Sequence, residues 1–415
     1  MNWRRYISSD SWGYNLLAFV ALVIPLHRRL VPAAVALAFI FSLYRWVRGK
    51  CRPRLKGHLA DALPLLGLLV LYVMLLAGLA FTSDVWRANR EVEYKLSFVV
   101  FPLLALLLPP LSRLQLDRLL TIFTTGCGIF LVASVATGAC RAMLTGDWRY
   151  LSYEDLSAVF HPSYMSAYQT VALFHVLDLG RRGEWFGGSR KLHVVLLLLI
   201  PVYIAMLASR AGMLGALIVL GYFAWSMRDQ YPGRRRSFMH VLLAAALLVA
   251  SSLALPVTQK RLTRITPNPA AGNNEPARGS SALRMVAWQS GWSVLADHPL
   301  GLGTGNVQRA LDREYARTGE VYAYRRGLNA HCQYLQTALE LGWFGLSVLV
   351  FCLLTFLWRV WRAVQPALAA IAGLVLFHAL VESFLEVQAG IIFTAFWMLC
   401  AYLSAQARVM PAGSA

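Results

Sequence analysis

Charge is what this sequence has little of. Only 14% of its 415 residues are charged, 58% are apolar and the mean hydropathy is +0.54, whereas soluble domains carry roughly 25% charged and 45–50% apolar residues. That excludes a water-soluble globular fold and leaves a multi-span membrane protein. Cysteine is scarce as well, and the six present show no CxxC spacing, so neither a zinc site nor a redox motif is indicated. No Gly-Lys-Ser/Thr follows the glycine-rich turn at 301–305, which excludes a nucleotide loop. Acidic residues number 20 against 39 Lys and Arg. With no basic, aromatic-interleaved soluble domain, nucleic acid is not an expected partner, and the excess points to cytoplasmic loops or to an anionic substrate.

What is abundant is apolar runs. Twelve, near 12–27, 31–47, 62–82, 95–111, 118–138, 161–180, 192–208, 211–227, 238–255, 341–358, 367–382 and 389–406, approach the roughly 20 residues that cross a hydrocarbon core. The first follows Arg4 and Arg5 and has no small-residue cleavage site after it, so it is expected to stay as a helix. With a cytoplasmic N-terminus, the inside loops hold 21 basic residues and the short outside loops 8. The positive-inside rule then puts both termini in the cytoplasm and the long 256–340 segment outside. The expected fold is all-α and polytopic: spans over 1–255, an outer loop or cap over 256–340, spans again over 341–406, and a cytoplasmic tail at 407–415. Membrane lipids are its surroundings.

The long loop has structure of its own. Thr266 to Ser281 reads as irregular, but Ala282 to Asp297 has a helical pattern with Trp288, Trp292 and Leu295 on one stripe. A second helix is expected from about Asn306 to Thr318, and a third from near His331 into the tenth run. Gly301, Gly303 and Gly305 read as a tight turn joining two helices, although amides before a helix also suit a phosphate.

Arginine distribution is the sharper signal. Arg210 lies at the outer end between two apolar runs, where a guanidinium is costly unless paired or facing a polar cavity. It either serves a site, snorkels, or pairs with Glu154 or Asp155. Up to residue 339 the loop carries ten basic and five acidic residues. Its guanidiniums, Arg261, Arg264 and Arg284 among them, match phosphate oxygens in a two-pronged fork, and Trp288, four residues on, would hold the Arg284 stem. His331 sits beside Asn329, Gln333 and Tyr334 where the loop re-enters the membrane, suited to take a proton from a sugar hydroxyl. His161, His298 and His378 compete for that role. His161 opens the sixth run, while His378 with Glu382 reads as a packing or hydrogen-bonding pair inside the eleventh. The outer acids show no recognisable metal spacing.

Taken together, the outer Ser209-Arg210-Ala-Gly212, Arg284-x-x-x-Trp288, Pro299-x-Gly301-x-Gly303 and His331-x-x-Tyr334-Leu335 with Glu340-x-Gly342-x-x-Gly345 resemble the O-antigen ligase/polymerase superfamily. The chain is most similar there to the O-antigen ligases of lipopolysaccharide assembly. The usual His-Asn pair is His331-Cys332 here. The resemblance implies a GT-C-like, metal-independent, inverting glycosyltransferase of the bacterial inner membrane that needs no cofactor. Its donor would be an undecaprenyl-diphosphate-linked O-antigen and its acceptor the lipid A-core oligosaccharide, joined on the periplasmic face. By motif, Arg210 and Arg284 would hold the diphosphate and His331 would activate the acceptor. Arg264, Arg261, Trp288, Gln333, Tyr334 and His161 would bind substrate. An O-antigen polymerase, a protein O-oligosaccharyltransferase or a non-enzymatic transporter of lipid-linked glycan are the alternatives.

Overall fold

The computed structural model describes residues 12–51, 59–227, 234–263 and 280–409. Among them there is no strand. α1 (Trp12–Val23), α2 (Leu30–Val47) and α3 (Leu59–Gly78) come first, then amphipathic α4 (Val85–Tyr94) and α5 (Ser97–Leu107). α6 (Arg113–Thr145) starts at a capping box between Ser112 and Gln115 and stops at left-handed Gly146. Its 33 residues span about 50 Å, more than the roughly 30 Å of a hydrocarbon core, and it leads to short α7 (Tyr153–Leu156). α8 (Pro162–Arg181), α9 (Arg190–Met206), α10 (Arg210–Ser226), α11 (Arg234–Ala254) and α12 (Pro256–Thr263) follow. The remainder is α13 (Ser280–Asp297), α14 (Val307–Arg317), α15 (Val321–Arg326), α16 (Gln333–Arg362), α17 (Pro366–Val381) and α18 (Gln388–Val409).

A helix lies over each of the twelve apolar runs. Among the described residues six helices are long and apolar enough to cross a membrane: α2, α3 with the turn after it, α6, α11 from Ser237, α16 and α18; α1, α10 and α17 are shorter apolar helices. α8 is the centre of the bundle, buried at every position from Pro162 to Gly180. Small residues set the close crossings. A Cβ on Gly212 of α10 would lie 2.2 Å from Ser166 Cβ of α8, and one on Gly67 of α3 would lie 2.8 Å from Cys352 Cβ of α16.

α13, α14, α15 and the first part of α16 form a small helical cap with its own core, including Val286, Leu295, Leu311, Tyr315, Leu335 and Leu339. Trp288 packs partly against that core, while Trp292, 54% exposed, leans on Trp343. The expected Trp288, Trp292, Leu295 stripe is therefore split, because Val286, Ala287, Ser290, Gly291 and Val294 form the buried face. The glycine turn docks the cap. Gly301, Gly303 and Gly305 all have positive φ, and their backbone packs against Gly342, Gly78 and Ala88, where no side chain fits. The turn's amides are spent internally: Leu302 N donates to Leu339 O, Gly303 N to Glu340 O and Gly305 N to Glu91 Oε2. Beneath it, buried Lys95 donates to Glu340 at 2.8 Å and lies 3.0 Å from Glu386.

Candidate active site

The N-terminal ends of α8, α10 and α13, the entry to α16 and the exit of α17 meet under the cap around a cavity of about 330 Å³. Each end brings one polar side chain for a local reason. Ser209 caps α10 by accepting from Gly212 N at 3.1 Å, so Arg210 becomes the first helical residue; the Ser-Arg-x-Gly spacing is a cap, a cation and a contact glycine. The Arg210 guanidinium donates to Ser281 Oγ at 2.5 Å rather than to Glu154 or Asp155. His161 caps α8, its Nδ1 facing Ser163 N at 3.4 Å and Ser163 Oγ at 3.1 Å, with Nε2 3.9 Å from Glu154. Burial, with the charges of Arg284 and His331, pushes the His161 pKa below its usual value against the pull of Glu382 and Glu154, which keeps this ring neutral at pH 7.

His331 lies just ahead of Cys332, the N-cap of α16, in the left-handed region at φ 45°, which non-glycine residues occupy at a cost but His more readily than most. Neighbouring bonds hold it there. Asn329 Oδ1 accepts from His331 N at 3.0 Å, and Gln333 N donates to Glu382 O at 3.1 Å.

Glu382 organises the cavity, and sequence reasoning placed it elsewhere. Glu382 N does donate to His378 O at 2.9 Å, but the expected His378–Glu382 pair does not form between their side chains, because α17 ends at Val381 and Glu382 turns to extended backbone (φ −144°, ψ 149°). His378 is left fully buried with neither ring nitrogen hydrogen-bonded among the described residues. The Glu382 carboxylate instead accepts from Arg284 at 2.5 Å and Ser163 Oγ at 2.9 Å, and lies 3.6 Å from His331 Nδ1. Burial pushes its pKa up, but the polar contact from His331 and the Arg284 guanidinium outweigh burial and hold it at about 2. Arg284 also donates from Nε to Val381 O at 2.9 Å, so two acceptors fix the plane of its guanidinium.

The cavity thus gathers His331, Arg284, Arg210, Arg261 and His161 of the expected residues. Arg261 lies 3.5 Å above the Tyr153 ring, a cation–π contact. Three expected residues point elsewhere. Trp288 belongs to the cap core, Tyr334 reaches from the bundle side to Leu376 O at 3.1 Å, and Gln333 is buried, holding Leu385 N at 2.6 Å and Glu386 at 2.9 Å. Gln333 and Tyr334 act on the site as anchors of the backbone beside His331. Arg264 lies outside the described residues. Besides Glu382, the lining includes Tyr322 and Arg326 from α15, a short helix in polar sequence with no apolar periodicity to announce it.

Four arginines face two glutamates here, so the cavity favours an anion. With Nδ1 toward Glu382, an imidazole in the neutral form at position 331 would keep Nε2 as its acceptor. That is the geometry of a base oriented by a carboxylate. Among the described residues no group of three or more His, Cys, Asp or Glu is gathered as a metal-holding set.

A family model described as O-Antigen ligase matches residues 194–350, a span that contains Arg210, Arg284 and His331. The match supports membership of the chain in the O-antigen ligase/polymerase superfamily. No curated protein matches the chain.

Proposed function

We propose that this protein is an O-antigen ligase of the O-antigen ligase/polymerase superfamily, moving a glycan from undecaprenyl diphosphate to a sugar of the lipid A core on the periplasmic face of the inner membrane. The observation that carries the reading is the meeting, in one cavity, of two arginines from different helices with a histidine backed by a carboxylate. His331 Nε2 takes the proton of an acceptor hydroxyl while that oxygen attacks the anomeric carbon of the donor. The bond from that carbon to the diphosphate oxygen breaks, and the electron pair leaves with undecaprenyl diphosphate. Attack from the face opposite the leaving group inverts the anomeric centre. Arg210 and Arg284 stabilise the charge arriving on the diphosphate, and Glu382 stabilises the imidazolium that His331 becomes. Base catalysis of this kind is typically worth about 10² to 10⁴ in rate.

In this reading residues 1–255 and 341–406 supply membrane spans and 256–340 the outward cap. The polyprenyl chain of the donor lies along the bundle, and the sugars lie under α13 and α15. The diphosphate bond stores the free energy of transfer, so neither ATP nor a divalent metal is required.

Mass spectrometry of a reaction containing purified protein, lipid-linked glycan, core acceptor and excess EDTA tests it. The expected product is acceptor increased by the mass of the glycan. Glycan lengthened on undecaprenyl diphosphate would identify a polymerase instead, and a reaction restored only by Mg²⁺ would overturn the arginine mechanism.

A further inference from the structure

The same helices enclose a second, larger cavity at their other end, and nothing in the transfer reaction uses it. It has a volume of about 480 Å³ and lies among the start of α6, the ends of α8, α10 and α16 and the start of α17. Along α10, Arg210 lines the first cavity and Trp225 the second. Those 15 residues rise about 22 Å, so the two cavities lie at opposite ends of the bundle.

One wall is aromatic. Trp225 and Trp361 stack with centroids 5.2 Å apart and planes 25° apart, and Tyr222 lies 5.9 Å from Trp361. The facing wall is charged. Arg181 is 2.6 Å from Asp178, and Arg182 is 2.8 Å from Asp117 and 3.3 Å from Asp178. Both aspartates are therefore engaged by arginine. The third arginine, Arg113, donates only to Val364 O, at 3.4 Å, and has no carboxylate partner among the described residues. The lining thus holds three arginines and two aspartates, one positive charge in excess. Leu116, Leu120 and Val360 give it an apolar floor. Tryptophan at this depth is ordinary on a lipid-facing surface; here a stacked pair walls a concavity of headgroup size whose excess charge is one cation.

We propose that this cavity binds the headgroup of a singly anionic glycerophospholipid of the adjacent leaflet. The phosphodiester sits on Arg113, the glycerol groups lie on the Trp225 and Trp361 faces, and the acyl chains leave over the apolar floor. A single phosphodiester neutralises the excess charge, whereas a headgroup ammonium would find both aspartates already occupied. Phosphatidylglycerol has that chemistry; phosphatidylethanolamine lacks the net charge.

Native mass spectrometry of the purified, delipidated full chain tests this with phosphatidylglycerol, phosphatidylethanolamine and chain-free glycerophosphoglycerol as probes. Phosphatidylglycerol is expected to be retained about fivefold better than phosphatidylethanolamine, the factor that one basic residue near the surface contributes. Arg113→Gln should lower its retention about fivefold and Arg113→Glu about twenty-five-fold, doubling the same contribution. Exposed Arg362→Glu, at the same end but outside the cavity, should leave retention unchanged, and Trp361→Ala should lower it. Equal retention by wild type and both Arg113 variants overturns the site. Equal retention of the two lipids overturns the charge argument, and equal binding of glycerophosphoglycerol overturns the assignment to a lipid.

Discussion

Replacing Glu382 by glutamine isolates the charge on which the candidate site turns. The side chain is 7% exposed and its carboxylate meets Arg284, Ser163 and His331 together. Its pKa is held at about 2 against an ordinary 4.5, and at 1.36 kcal/mol per unit that difference corresponds to about 3 kcal/mol favouring the ionised form. Glutamine keeps the shape and one acceptor but removes the charge that would stabilise a protonated His331. If that interaction serves the transition state, its loss should slow transfer about a hundredfold. The depressed pKa also sets a window for stability. The carboxylate's contribution is complete above pH 4.5 and is lost as pH falls toward 2, so wild type should lose thermal stability over that interval more steeply than Glu382→Gln. Initial rates at neutral pH, with melting curves from pH 7 down to 2, read both effects. A Glu382→Gln rate within about threefold of wild type at equal folding would refute the argument, since the carboxylate would then neither orient His331 nor stabilise its charge.

His331→Ala should abolish transfer while expression and donor retention persist, measured by product formation and co-purified lipid at matched protein levels; normal attachment would remove His331 from the chemistry. Arg210→Lys and Arg284→Lys should each lose roughly 10² or more in rate, because an ammonium cannot hold two acceptors in one plane as Arg284 holds Val381 O and Glu382. Normal turnover by either lysine variant would make that residue structural. Impermeant thiol reagents in spheroplasts should label Cys332 and engineered cysteines near Ser280 but not those near Arg52 or Arg235; the reverse pattern would invert the topology.

The helices were legible because apolar runs long enough to bury themselves leave a plain signal, and a helix lies over every one of the twelve. The cap was legible through the helical pattern of α13 and the glycine turn ahead of α14, and both helices match expectation to within two residues at each end. Glu382 was not. Four residues after His378, it carries the spacing of a helical pair, and nothing in the local pattern says that α17 ends at Val381 and turns the carboxylate outward. Gln333 and Tyr334 were misplaced for a related reason. Proximity to His331 in sequence suggests a shared cavity, but α16 begins at Gln333 and its first residues rotate toward Glu386 and Leu376. Arg210 was found through the cost of its burial, which holds whatever the fold.

Cryo-electron microscopy of the purified His331→Ala protein with its lipid-linked donor tests the central claim most directly. The account predicts diphosphate density in the cavity beneath the cap, with phosphate oxygens within hydrogen-bond distance of both Arg210 and Arg284 and the first sugar beside position 331. Diphosphate bound anywhere else, whether in the cavity at the opposite end of α10 or on the outer face of the cap, would contradict it.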